Sequence, residues 1–165
     1  MVTASHNPPE YNGFKLMSGL DSIHGHGLQN IRRIIDKNEF AQGDGKVSQK
    51  DVISPYKAYI LNNIDIKGKI KVGIDAGNGT GGITALPVLK RLGCEVHDIY
   101  CDMDGTFPNH EADPTQKKNL LDLIKLVKEK NLDLGVGYDG DADRIGVVDK
   151  NGAVIYGDQL MVIYA

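Results

Sequence analysis

Tryptophan is absent from this chain, and cysteine appears only twice in 165 residues. Cys94 and Cys101 flank a predicted strand. An extended strand holds them too far apart for a bridge, so both read as reduced thiols of a cytoplasmic protein. Aromatic residues are scarce at 6%, but 41% hydrophobic residues still supply a modest core. No long apolar run exists. The longest stretch, Leu160 to Ala165, falls far short of the roughly 20 residues that a membrane-spanning helix needs. No charged start leads into an apolar run at Met1–Pro8, so a signal peptide is not expected. A surplus of charge is missing as well. The formal net charge is −3 and no basic run occurs, which argues against nucleic-acid partners and against a membrane surface. At this length one domain, or one and a half, is expected.

What is plentiful is glycine, with 20 residues clustered at the motifs described below. The first fifty residues are loop-rich. Met1–Ala4 and Phe14–Met17 are short strand candidates, separated by the breakers Asn7-Pro8-Pro9 and Asn12-Gly13. A helix is expected from about Leu28 to Asp36, then a polar linker from Asn38 to Lys50. Ser54 and Pro55 signal the start of a helix running to about Asn62. From Ile70 the pattern turns regular. Strands are predicted at Lys69–Ala76, Glu95–Tyr100, Leu134–Tyr138 and Ile145–Asp149, with helices at Thr84–Leu92 and Lys117–Lys130. Asn151-Gly152 suggests a hairpin turn, and Gly157-Asp158 opens a last helix. This alternation predicts an α/β fold: a mixed, mostly parallel sheet with helices on both faces, preceded by a partial domain of the same kind. The strand at Ile145 follows its predecessor through a short loop without a helix, so it is expected to run antiparallel.

Three loops carry candidate chemistry. The first is Thr3-Ala-Ser-His-Asn-Pro-Pro-Glu-Tyr-Asn-Gly-Phe-Lys15. Ser5 is a candidate nucleophile that needs activation. His6 is adjacent, and Lys15 returns to it if Pro8, Pro9 and Gly13 fold the turn back; a plain surface turn is the alternative. The second is Asp139-Gly-Asp-Ala-Asp-Arg144. Asp139, Asp141 and Asp143 project to one side of an extended segment, and a curved loop gathers their oxygens around a hard cation such as Mg²⁺ or Ca²⁺. The EF-hand reading fails, because Arg144 and Lys150 stand where glycine and glutamate are required; a solvated acidic turn is the bland alternative. The third, Gly77-Asn-Gly-Thr-Gly-Gly82, matches a dinucleotide-binding pattern, with Asp98 and Asp102 near the spacing of a ribose ligand and Asp75 just before the loop. A tight strand-to-helix turn is the competing reading. His24 and His26 lack neighbouring ligands in sequence. His97 reads as a structural strand residue, and His110 falls in a long polar loop.

Taken together, these segments resemble the α-D-phosphohexomutases, and within them the phosphomannomutase/phosphoglucomutase members. The resemblance rests on Thr3–Pro8 with Tyr11–Lys15, Asp75–Gly79, Asp104–His110, Asp139–Arg144 and Gly157–Leu160, in that order. It implies that Ser5 carries a phosphoryl group and that Asp139, Asp141 and Asp143, completed by an oxygen at Ser5, hold one Mg²⁺. The phosphoserine would serve a hexose 1- or 6-phosphate through a hexose 1,6-bisphosphate. Lys15 and Arg144 would stabilise charge or assist proton transfer, with His6 in support, and the glycine loop would be a scaffold turn.

Members of that family have four domains around one cleft. The resemblance therefore divides the chain into the end of domain 1 with the serine loop (1–52), domain 2 with the metal loop (53–153) and the first helix of domain 3 (154–165). The expectation is a fragment that turns over poorly by itself, because the sugar-recognition and phosphate-binding loops of the later domains are not in it. Two other functions are weighed: a Mg²⁺-dependent phosphatase, and a nucleotide-binding module built on Gly77–Gly82. No motif sets the choice of hexose or the oligomeric state.

Overall fold

A computed structural model describes residues 1–165. The N-terminal segment is thin. Val2 bridges Phe14, and two short antiparallel strands follow, β1 (Met17–Ser18) and β2 (Asp21–Ser22). Helix α1 (His26–Asp36) comes next and buries none of its residues. Residues 41–50 contain no helix or strand. Helix α2 spans Ile53–Asn63. It starts one residue before the expected Ser54, with Val52 at the N-cap position, and Asp51 satisfies its first donors. The Asp51 Oδ1 accepts the backbone N–H groups of Ile53 and Ser54, both at 3.0 Å. A carboxylate is the stronger acceptor for these free helix donors, so it displaces the serine from the capping role.

The regular region follows the predicted alternation: β3 (Lys71–Asp75), α3 (Gly81–Arg91), β4 (Glu95–Ile99), α4 (Leu121–Lys130), β5 (Leu134–Tyr138), β6 (Ile145–Asp149), β7 (Val154–Ile155) and α5 (Gly157–Tyr164). The sheet order is β4-β3-β5-β6-β7. Strand β3 is parallel to both β4 and β5, whereas β6 is antiparallel to β5, as its short loop requires. The Asn151-Gly152 turn returns the chain into β7, antiparallel to β6. The helix expected at 117–130 is divided. Its first turn, Lys117–Leu120, is a tighter 3₁₀ segment in which the buried Asn119 donates from Nδ2 to the Asp113 carbonyl at 2.9 Å. Helix α3 contains Pro87. Proline cannot bond back to the carbonyl of Ile83; the Lys57 ammonium approaches that oxygen at 3.4 Å instead. No helix is long and apolar enough to cross a membrane.

Every buried residue lies between Val72 and Val148. On one face of the sheet, Leu120, Leu123, Val127, Leu132 and Val148 form the core cluster, each leucine contributing roughly 1.5–3 kcal/mol by leaving water. The strands meet α4 with almost no side chains. Gly73, Gly135, Gly137 and Gly146 face Leu123, Val127, Leu120 and Pro114, and a Cβ at Gly135 or Gly137 would come within 2.7 Å of Val127 or Leu120. The helix therefore rests on bare backbone. The opposite face carries Val72, Ile74, Val136 and Tyr138, with Tyr138 against Gly81 at the start of α3. Helices thus cover both faces, and the loops at the carboxyl ends of β3 and β5 open at the same edge of the sheet.

Candidate active site

The acidic loop joins β5 to β6. The Arg144 N–H donates to Asp139 Oδ1 at 3.0 Å, and Ala142 N–H donates to the Asp139 carbonyl at 3.1 Å. Ala142 takes a left-handed φ of 59° to close the turn. Asp139 is 0% exposed. Ligand atoms of Asp139, Asp141 and Asp143 all lie within 4.8 Å of one another. Burial, followed by the charges of Asp141 and Asp143, raises the Asp139 pKa above its ordinary 3.8, against the Arg144 N–H and the Ser5 hydroxyl, which lower it. Burial pushes the Asp141 pKa up as well, but hydrogen bonding from Thr3 and the charge of Lys15 help to hold it below the ordinary value.

The serine loop folds back as its prolines predict. Met1 and Lys15 exchange backbone hydrogen bonds at 2.9 Å, and Thr3 N–H donates to Gly13 at 3.0 Å. That pairing returns Lys15 to the site, where its ammonium stands 3.9 Å from Asp143. Ser5 sits at a φ of 58°, rare for a residue with a side chain. Its hydroxyl donates to Asp139 Oδ2 at 3.2 Å and lies 3.1 Å from His6 Nδ1. Arg144 Nη1 is 3.3 Å from His6 Nε2. A guanidinium only donates, so Nε2 accepts and Nδ1 carries the ring proton. The chain of donors therefore runs from Arg144 through His6 and Ser5 to Asp139. In this arrangement His6 gives a hydrogen bond to the serine and Asp139 takes one from it.

The third loop lies beneath these two. Thr80 N–H donates to the Gly140 carbonyl at 3.0 Å. A Cβ on Gly79 would strike the Gly140 backbone, one on Gly140 would strike the Ser5 carbonyl, and one on Gly82 would strike the Cys101 carbonyl. Three backbones are stacked with no room for side chains between them. Asp75, 1% exposed, turns back on this loop, its Oδ1 accepting the Gly77 N–H at 2.9 Å. The glycines are thus consumed by close backbone contacts and the dinucleotide reading fails; this loop is the scaffold turn.

Ser5, His6, Lys15, Arg144 and the three aspartates come together at one place. His24 and His26 join no cluster of ligating groups. A cavity of about 430 Å³ adjoins His6 and is lined also by Asn7, Thr106, Phe107 and Asp113. Sequence reasoning missed Thr3, which links the serine loop to the acidic loop, and the pair formed by the buried Asp75 and the partly buried His110. His110 Nε2 is 2.9 Å from Asp75 Oδ2, and Nδ1 is 2.8 Å from the Glu111 carbonyl. The carbonyl can only accept, so Nδ1 carries hydrogen, and the carboxylate favours a second one at Nε2. Hydrogen bonding to Asp75 accordingly raises the His110 pKa above 6.5, despite burial. The protonated form is tighter in the folded state. Its contribution is complete below pH 6.5 and is lost as pH rises through the raised value. Thermal melts across that window should show falling stability, with the slope reduced in His110→Gln; an unchanged slope would refute the protonated pair.

An α/β sheet that presents a serine hydroxyl to a three-carboxylate cradle defines the class. The comparisons with known proteins agree with it. The family model described as phosphoglucomutase/phosphomannomutase, alpha/beta/alpha domain II, matches residues 54–152, and the corresponding domain I model matches residues 1–42. The whole chain aligns at 47% identity with the phosphoglucomutase of Neisseria meningitidis serogroup A and at 44% with the phosphomannomutase/phosphoglucomutase of Pseudomonas aeruginosa strain PAO1. It spans 36% of the length of each. A crystal structure of a phosphoglucomutase/phosphomannomutase family protein from Burkholderia thailandensis superimposes with a TM-score of 0.91 at 40% identity, over 99% of this chain and 36% of that one. The chain belongs to the phosphoglucomutase/phosphomannomutase family.

Proposed function

We propose that the protein interconverts hexose 1-phosphates and hexose 6-phosphates through a phosphoserine at Ser5 and a hexose 1,6-bisphosphate. The observation that carries this reading is the Ser5 hydroxyl donating at 3.2 Å to the fully buried Asp139. The residues also fit Mg²⁺. The donors are all oxygen, and Asp141 Oδ1 is buried without any hydrogen-bond partner, so one ligand atom is left for a cation. Asp139, Asp141 and Asp143, with an oxygen at Ser5, would hold it, and it would supply charge neutralisation at the transferring phosphoryl.

The protein's own groups do the rest. Asp139 takes the Ser5 proton when Oγ attacks phosphorus. As the Oγ–P bond forms, the sugar O–P bond breaks, and the departing sugar oxygen takes a proton from Lys15. In the opposite direction a sugar hydroxyl attacks the phosphoserine, gives its proton to Lys15, and the Oγ–P bond breaks as Oγ takes its proton back from Asp139. Lys15, beside Asp143, and Arg144, bonded to His6, offset charge on the moving group, and Lys15 sits near enough to a carboxylate to assist proton transfer. His6 supports Ser5 by its hydrogen bond. We divide the chain as 1–52, 53–153 and 154–165, the last being the first helix of a further domain, and place sugar recognition in the chain beyond these segments. A cytoplasmic location belongs to the same reading, with Cys94 and Cys101 both free thiols.

The test is a coupled assay on the full-length protein with Mg²⁺, a trace of hexose 1,6-bisphosphate, and glucose 1-phosphate or mannose 1-phosphate supplied separately. The expected product is the 6-phosphate, and Ser5→Ala should lower the rate by at least roughly 1,000-fold, the scale for loss of a covalent nucleophile. Release of free sugar and inorganic phosphate without the 6-phosphate would replace this reading with a phosphatase.

A further inference from the structure

Thr3 has no part in the chemistry just described, yet its hydroxyl bonds both a carboxylate of the acidic loop and the backbone of Ser5. Its Oγ1 donates to Asp141 Oδ2 at 2.7 Å and accepts the Ser5 backbone N–H at 2.8 Å. A hydroxyl has one proton and two lone pairs. The proton is committed to the carboxylate, which only accepts, so a lone pair faces the N–H. Thr3 is itself anchored, with its N–H on the Gly13 carbonyl at 3.0 Å.

Two consequences follow from these bonds. Asp141 has one oxygen held by Thr3 and the other buried and unpartnered, so the carboxylate cannot rotate freely about its last bond. Ser5 is kept at its left-handed φ of 58° by the N–H bond to the same hydroxyl. The orientation of a cation ligand and the conformation of the phosphoryl acceptor are therefore set by a single atom.

We propose that Thr3 is a positioning residue that couples cation binding at Asp141 to phosphorylation at Ser5, a role that rests on the reading of the site given above. Thr3→Val keeps the shape and removes the hydroxyl; Thr3→Ser keeps the hydroxyl. The full-length protein and both variants are titrated with Mg²⁺ by calorimetry. They are then incubated with glucose 1,6-bisphosphate, and the phosphorylated fraction of Ser5 is read by mass spectrometry. Thr3→Val should bind Mg²⁺ at least tenfold more weakly and take up less phosphoryl, while Thr3→Ser restores both to within about threefold, since the charge-assisted bond is retained. Equal Mg²⁺ affinity in Thr3→Val and the unmodified protein overturns the coupling and leaves the function intact. Absence of Mg²⁺ binding in the unmodified protein overturns both. If Thr3→Val does not melt cooperatively, Thr3→Ala takes its place against Thr3→Ser, and equal affinities again overturn the role.

Discussion

Asp139→Asn should weaken Mg²⁺ binding by at least roughly 100-fold and, in metal-free buffer, make the protein more stable. The two effects have one origin. Asp139 is 0% exposed, and its ligand atom lies within 4.8 Å of those of Asp141 and Asp143. Like charges at that spacing repel by about 3 kcal/mol at an effective dielectric constant near 20, before solvent screening reduces the figure. The folded-state pKa of Asp139 is raised above 3.8, so the native chain binds this proton more tightly than the unfolded one. Ionising Asp139 therefore costs stability as pH climbs from 3.8 through the raised value. Asparagine removes the charge and retains an oxygen for the Arg144 N–H. The difference between the two proteins in denaturant melts, with EDTA present, should grow through that pH window and then level off. Adding Mg²⁺ at 100 times its Kd should stabilise the unmodified protein by about 2.7 kcal/mol and the variant by no more than about 0.4 kcal/mol. An unchanged Mg²⁺ affinity would remove Asp139 from the cradle.

Gly140→Ala should lower activity roughly 100-fold without altering any side chain assigned to the reaction. The new methyl would occupy the place of the Ser5 carbonyl, with Phe107 Cζ 3.7 Å away on another side. One of the two loops must yield. A displacement of about 1 Å at a reacting atom lowers rates by roughly 100-fold. The contact lies in the loop beyond β5 and outside the strands and the core cluster, so far-ultraviolet circular dichroism should be unchanged. Gly105→Ala is the control, because nothing lies within 4 Å of its added carbon. If Gly140→Ala keeps more than a tenth of the rate, the backbone stack is looser than described here.

Much of this architecture was legible in the sequence, for reasons that can be assigned. Strands β5 and β6 fell at their predicted bounds, Leu134–Tyr138 and Ile145–Asp149, because short apolar runs end there at charged turns. The antiparallel step between them followed from loop length. Ser54 misled because Asp51, three residues earlier, competes for the same donors. The glycine pattern at 77–82 was ambiguous for a deeper reason. A glycine required for close backbone approach is identical in sequence whether it approaches a phosphate or another strand of protein. Here Gly79 meets Gly140, which is far along the chain. The Asp75–His110 pair and the Thr3 bridge were hidden for the same reason, since each joins residues that no local pattern relates.

The bridge between Thr3 and Asp141 spans 138 residues of chain. No residue before Val72 is buried, so the sheet and its core assemble without the N-terminal segment. On a ribosome adding 5–20 residues per second, Ser5 emerges roughly 7–28 seconds before the carboxylates that will hold it. During that interval Ser5 is without Asp139 and Thr3 without Asp141. The proposed nucleophile is made early and meets these partners late, once the β5–β6 loop has formed.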